Sequence, residues 1–69
     1  MKLSARNKLA GTVTTIHEGE AIANVALDVA GQRLVASITV EAVQELGLRE
    51  GASVTAIIKA SDVILATEA

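Results

Sequence analysis

The chain has 69 residues, six basic and eight acidic side chains, a net charge of −2, no cysteine and one histidine. One domain spanning 1–69 is expected, without disulfides, thiolate chemistry or a cysteine zinc site, and with too few imidazoles for a structural metal. At this size about 60% of the unfolded surface is buried, and 51% hydrophobic residues without one Phe, Tyr or Trp give a small aliphatic core, so an obligate homo-oligomer is expected.

In chain order, Leu9 to Ile16 alternates β-branched and small residues and predicts a first strand. His17-Glu18-Gly19-Glu20 follows as a hairpin turn in which Gly19 permits positive φ. Ala21 to Val29 predicts a second strand. Its apolar spacing slips between Ile22 and Val25, which implies either a bulge or a strand buried on both faces. Ala30-Gly31-Gln32 is a second turn and Arg33 to Thr39 a third strand. The period then changes. Val40, Val43 and Leu46 share one helical face, Glu41, Gln44 and Glu45 the other, with Thr39 as N-cap and Gly47 as stop. Leu48 to Ala52 is a loop, Ser53 to Ala60 a fourth strand, and about Asp62 to Thr67 a fifth. The order β-β-β-α-β-β predicts an all-β fold: a small five-stranded barrel of OB type, with one short α-helix between strands 3 and 4.

No segment approaches the roughly 20 apolar residues of a membrane span, the longest uncharged stretch being the nine residues Leu9 to His17. The polar start, Ser4, Arg6, Asn7 and Lys8, is unlike a signal peptide, and a cytoplasmic protein is expected. Catalysis lacks parts: the lone histidine and the pair Glu18 and Glu20 sit in a turn, where solvated side chains are the rule, and no glycine-rich phosphate loop is present. Nucleic acid is not an expected partner, since single-strand surfaces stack bases on aromatic rings and this chain has none. An enzyme is not expected.

Polar groups at strand ends remain. Ser4 and Arg6 precede the first strand, Thr39 ends the third, and Lys59 ends the fourth. Arg6 offers a planar fork of donors, Lys59 a compact charge, and Ser4 and Thr39 hydroxyls. That mixture suits a small tetrahedral dianion, because charge-assisted hydrogen bonds contribute roughly 1.5–3 kcal/mol each against the cost of dehydrating it. Solvated strand-end cations are the plainer reading of the same residues.

The motifs favour the first reading. Ser4-Ala5-Arg6-Asn7, Ser37-Ile38-Thr39 leading to Glu45-Leu46-Gly47-Leu48, Glu50-Gly51 with Val54, and Lys59-Ala60 with Asp62-Val63-Ile64 together resemble the molbindin family, or Mop domain, across nearly the whole chain. Lys8 stands where that family commonly has Gln, adding positive charge. The resemblance implies an OB-like barrel, a homohexamer built as a trimer of dimers, and binding of molybdate or tungstate between subunits. Ser4, Arg6, Lys59 and the Ala60 backbone would come from one subunit and Thr39 from its neighbour. It also implies a second class of site near the threefold axis, to which no side-chain motif here can be assigned.

The expected function is binding of the molybdate oxyanion for intracellular molybdenum storage or homeostasis, with no organic cofactor. The alternative is an oligomeric interaction or regulatory module of a molybdenum-handling system. A self-contained molybdate-responsive repressor is not expected of a chain with no DNA-binding segment. Carriage of molybdopterin ranks last, because no aromatic is available to stack on a pterin.

Overall fold

The computed structural model describes residues 2–68. Strands β1 (Asn7–Glu18), β2 (Ile22–Val29) and β3 (Gln32–Thr39) form a meander. Helix α1 (Val40–Leu46) follows, then β4 (Ser53–Ile58) and a 3-10 turn at Ala60–Asp62. The four strands make one antiparallel sheet in the order β3-β2-β1-β4. The expected all-β class with one short helix holds, and the helix occupies the expected residues.

Helix α1 shows why its boundaries were local. Thr39 Oγ1 accepts a hydrogen bond from the Ala42 N–H at 3.0 Å, satisfying one of the helix's free donors. At the other end Gly47 takes φ 63°, its N–H bonds the Gln44 carbonyl, and the Leu48 N–H bonds the Val43 carbonyl at 3.0 Å. These two bonds form a Schellman stop, which a residue without Cβ adopts freely.

Val13, Ala23, Val25, Leu27 and Val43 form the buried core, with Ile16, Val29, Leu34, Ile38, Val40, Leu48 and Val54 packed around it. The slip expected in β2 resolves as burial on both faces: Val25, Ala26 and Leu27 are consecutive and all buried, although side chains alternate between the two faces of a strand. Its register with β3 is unbroken, so β2 carries no irregularity on that side. The irregularity is on β1, between Val13 and Thr15, and the skipped Thr14 donates its hydroxyl to the Ala26 carbonyl at 3.1 Å.

Three expectations need correction. Gly19 is not in the left-handed region; it is required by proximity, since a Cβ there would lie 3.1 Å from the Ile22 carbonyl. The positive φ values fall at the second turn, on Ala30 (50°) and Gly31 (84°). The fifth strand is not present: Ala60–Asp62 is a 3-10 turn, and residues 63–68 join no ladder. Ile64 and Leu65 are 92% and 88% exposed, so the apolar side chains that suggested a strand find no partner surface among the described residues. Leu46, expected on the same face of α1 as Val40 and Val43, is 68% exposed for a similar reason; it lines an apolar groove with Val25, Ile38 and Leu48 that none of the described residues covers.

Candidate anion-binding site

The functional candidates are organised by the β1–β4 ladder. Its register runs from Thr12 opposite Ser53 to Asn7 opposite Ile58, where the pairing ends. One residue further on each strand stand Arg6 and Lys59, so the fold delivers two cations to the same frayed edge from positions far apart in sequence. Lys8 lies opposite Ile57 on the adjoining rung, and Lys2 lies four residues before Arg6. Three of the six basic residues thus belong to this end of the ladder: Arg6, Lys8 and Lys59.

Like charges facing each other across a ladder are destabilising. The register places two cationic residues next to each other in backbone position, one step beyond the last pair of β1 and β4. Arg6 and Lys59 are both exposed, as are Ser4, in a bend two residues before Arg6, and Ala60. Lys59 is extended (φ −65°, ψ 138°) and opens the 3-10 turn, whose bonds run from the Asp62 N–H to the Lys59 carbonyl (2.9 Å) and from the Val63 N–H to the Ala60 carbonyl (3.2 Å). The Ala60 N–H donates in neither of these bonds.

Thr39 is elsewhere. It lies opposite Ile22, beside the Glu18 end of β1 and on the far edge strand, so one chain does not bring it to Arg6 and Lys59. Its Oγ1 already accepts from the helix, but the hydroxyl proton remains available to another acceptor.

A residue given no role from sequence also belongs here. Asn7 Nδ2 donates to the Ile58 carbonyl at 3.2 Å, across 51 residues of chain and on the last rung of the ladder. Its sequence signals are its place directly after Arg6 and its membership of the Ser4-Ala5-Arg6-Asn7 block, neither of which reveals its partner.

A concavity of about 530 Å³ among the described residues lies away from this end. It lies on the outer sheet face, lined by Thr12, Asp28, Ser53 and Thr55 among smaller residues, and Asp28 makes it unwelcoming to an anion. Among the described residues no group of three or more His, Cys, Asp or Glu is arranged to hold a metal cation, and no helix is long and apolar enough to cross a membrane.

Fold and site together define a small antiparallel β domain that presents cations and N–H donors at a strand end, suited to an oxyanion rather than a bare metal ion. The chain belongs to the TOBE domain family, which it matches over residues 3–65. It is 44% identical over 66 residues to molybdenum-pterin-binding protein 1 of Clostridium pasteurianum, covering 94% of this chain and 97% of the relative. Among solved structures it resembles a molybdate-binding protein from Sporomusa ovata, with a TM-score of 0.93 and 42% identity over 97% of this chain and all of that one. It also resembles the cytoplasmic molybdate-binding protein ModG, solved with molybdate bound, with a TM-score of 0.88 and 52% identity over 93% of this chain and 46% of that one.

Proposed function

We propose that this protein binds molybdate, and tungstate with it, at a site built from Ser4, Arg6, Lys59 and the Ala60 N–H of one subunit with Thr39 of a neighbour. The observation that carries the reading is the pairing that ends at Asn7 and Ile58 and so sets Arg6 beside Lys59. Relatives and structural neighbours described as molybdenum-pterin-binding and molybdate-binding supply the identity of the ion. Two cations neutralise the dianion, while hydroxyls and the backbone donor replace its water shell. Capture and release need no bond made or broken, so the proposed role is storage and homeostasis of molybdenum, without catalysis.

An assembly supports that site in two ways. Thr39 is remote from Arg6 within one chain and can complete the cage only from another copy. Exposed Leu46, Ile64 and Leu65 together supply apolar surface that a second copy would cover. The proposed assembly is a homohexamer, a trimer of dimers, in which residues near 62–67 become the fifth strand of a barrel on association. A cytoplasmic location agrees with the description of ModG. An organic pterin ligand is disfavoured by the absence of any aromatic ring.

Calorimetric titration of one preparation with molybdate, tungstate and sulfate tests the reading. Saturable heat with the two larger ions and little with sulfate is the expected result; equal or absent heats would overturn it. Because binding between subunits favours the assembly by mass action, molybdate at about 100 times Kd is expected to stabilise it by about 2.7 kcal/mol. Light scattering that finds a monomer with undiminished molybdate affinity would remove Thr39 from the site.

A further inference from the structure

We infer that Asn7 is the positioning residue of this site: its carboxamide holds the Arg6 strand to the Lys59 strand so that both cations stand ready for one ion. The inference rests on the proposed molybdate reading and adds a residue that has no direct part in it.

The geometry is specific. Asn7 Nδ2 donates to the Ile58 carbonyl at 3.2 Å, and Asn7 and Ile58 are also the final pair of the β1–β4 ladder. Asn7 is half-buried, whereas Arg6 and Lys59 beside it are exposed. No rung follows to hold those two residues together. Like charges on neighbouring strands beyond the last rung oppose pairing there, and strand ends fray first. The side-chain bond acts against both tendencies at the one place where they coincide.

Ordering is the physical reason that this matters for the ligand. If Arg6 and Lys59 wander in the free protein, the ion must fix their backbones as it binds, and that loss of freedom opposes association. If Asn7 has already fixed them, the ordering is complete before the ion arrives. Asn7 therefore influences affinity without touching the anion. Its amide is neutral, so it contributes no competing negative charge, and it donates where a carboxylate could not.

The test uses the full chain in its native assembly. Asn7→Ala is expected to weaken molybdate binding about tenfold by calorimetry, the size expected for one lost hydrogen bond. Amide exchange at Arg6, Lys59 and Ala60 of the ligand-free protein should accelerate, and saturating molybdate should slow it again. The middle of the sheet, at Val13 and Val25, should keep its protection. Asn7→Asp, which keeps the shape but cannot donate when ionised, should lose at least as much affinity as Asn7→Ala, and Asn7→Ser, which keeps a shorter donor, should recover part of it. Wild-type heat with unchanged Asn7→Ala affinity would overturn this inference alone. Absence of wild-type heat would overturn the molybdate reading and this inference together. Exchange accelerated throughout the sheet, or failure of all three variants to fold, would make Asn7 a general folding residue and overturn the positioning role.

Discussion

The two ends of β1 are built from the same ladder and finish differently. At the Glu18 end the chain closes on itself: the Gly19 N–H bonds the Ile22 carbonyl, the Val40 N–H bonds the Ala21 carbonyl, both at 2.8 Å, and Thr39 caps the helix that follows. At the Asn7 end the ladder stops one residue short of Arg6 and Lys59, at a turn whose first N–H has no bond within the turn. One end is completed by its own backbone. The other is left incomplete, and an incomplete end rich in donors is where an anion or a second copy can add stability.

Several changes would break or sharpen that contrast. Leu27→Ala should have the largest effect, because Leu27 is buried in the core with Val13 of β1, Val25 of β2 and Val43 of α1. A loss of about 2–5 kcal/mol is expected from the vacated side chain, a large share of what a domain this small possesses. Denaturant unfolding followed by circular dichroism should show helix and sheet lost together; a helix surviving alone would mean that the two ends do not share one core.

Arg6→Ala comes next and should separate the ends. Removing one charge-assisted contact should weaken molybdate binding about 10- to 100-fold while α1 and the Glu18 hairpin stay intact. Arg6→Lys should recover only part of the affinity, since an ammonium cannot reproduce a planar fork. Unchanged affinity in a calorimetric titration would place the ion elsewhere.

Thr39 joins the two ends only if subunits assemble as proposed. Thr39→Ala should cost about 1 kcal/mol through the lost helix cap, whether or not molybdate is present. Thr39→Asp keeps a capping oxygen, so stability should change little, yet a carboxylate facing the cage should depress molybdate affinity at least as strongly as Arg6→Ala does. Normal binding by Thr39→Asp would show that the neighbouring subunit does not use this residue.

The smallest expected effect lies at the β2–β3 turn, which belongs to neither end. Ala30 sits at φ 50°, where a Cβ is uncomfortable, and Asn is better tolerated there before a glycine. Ala30→Asn should stabilise the protein by about 0.5–1 kcal/mol, a rise of a few degrees in Tm, with molybdate affinity unchanged. A destabilised variant would mean that this turn is held by contacts beyond its own backbone.

Much of the fold was legible because its signals are local. Thr39, Gly47 and the Val40, Val43 spacing act within one or two helical turns, and the helix formed on the residues expected. Alternation located β1 to β4 to within two residues at each end. The candidate site was legible in part: Arg6 and Lys59 stand out as strand-end cations, and the ladder brings their strands together. Asn7 was visible as the last residue of the Ser4-Ala5-Arg6-Asn7 block, but its bond was not legible, since the partner is an ordinary Ile58 carbonyl that only a register reveals. Leu46 and the 62–67 segment misled for one reason. Apolar periodicity indicates that a surface is to be covered, but not whether the covering comes from the same chain.

Composition and order thus determined a small aliphatic β domain with one capped helix and a cationic start, because propensity, caps and turns depend on near neighbours. The tertiary structure alone decided where β1 bulges, that β2 is buried on both faces, that Asn7 grips Ile58, and that the last apolar residues stand free. Those outcomes depend on which strands meet and in what register, and contacts spanning 51 residues leave no periodic trace in the chain.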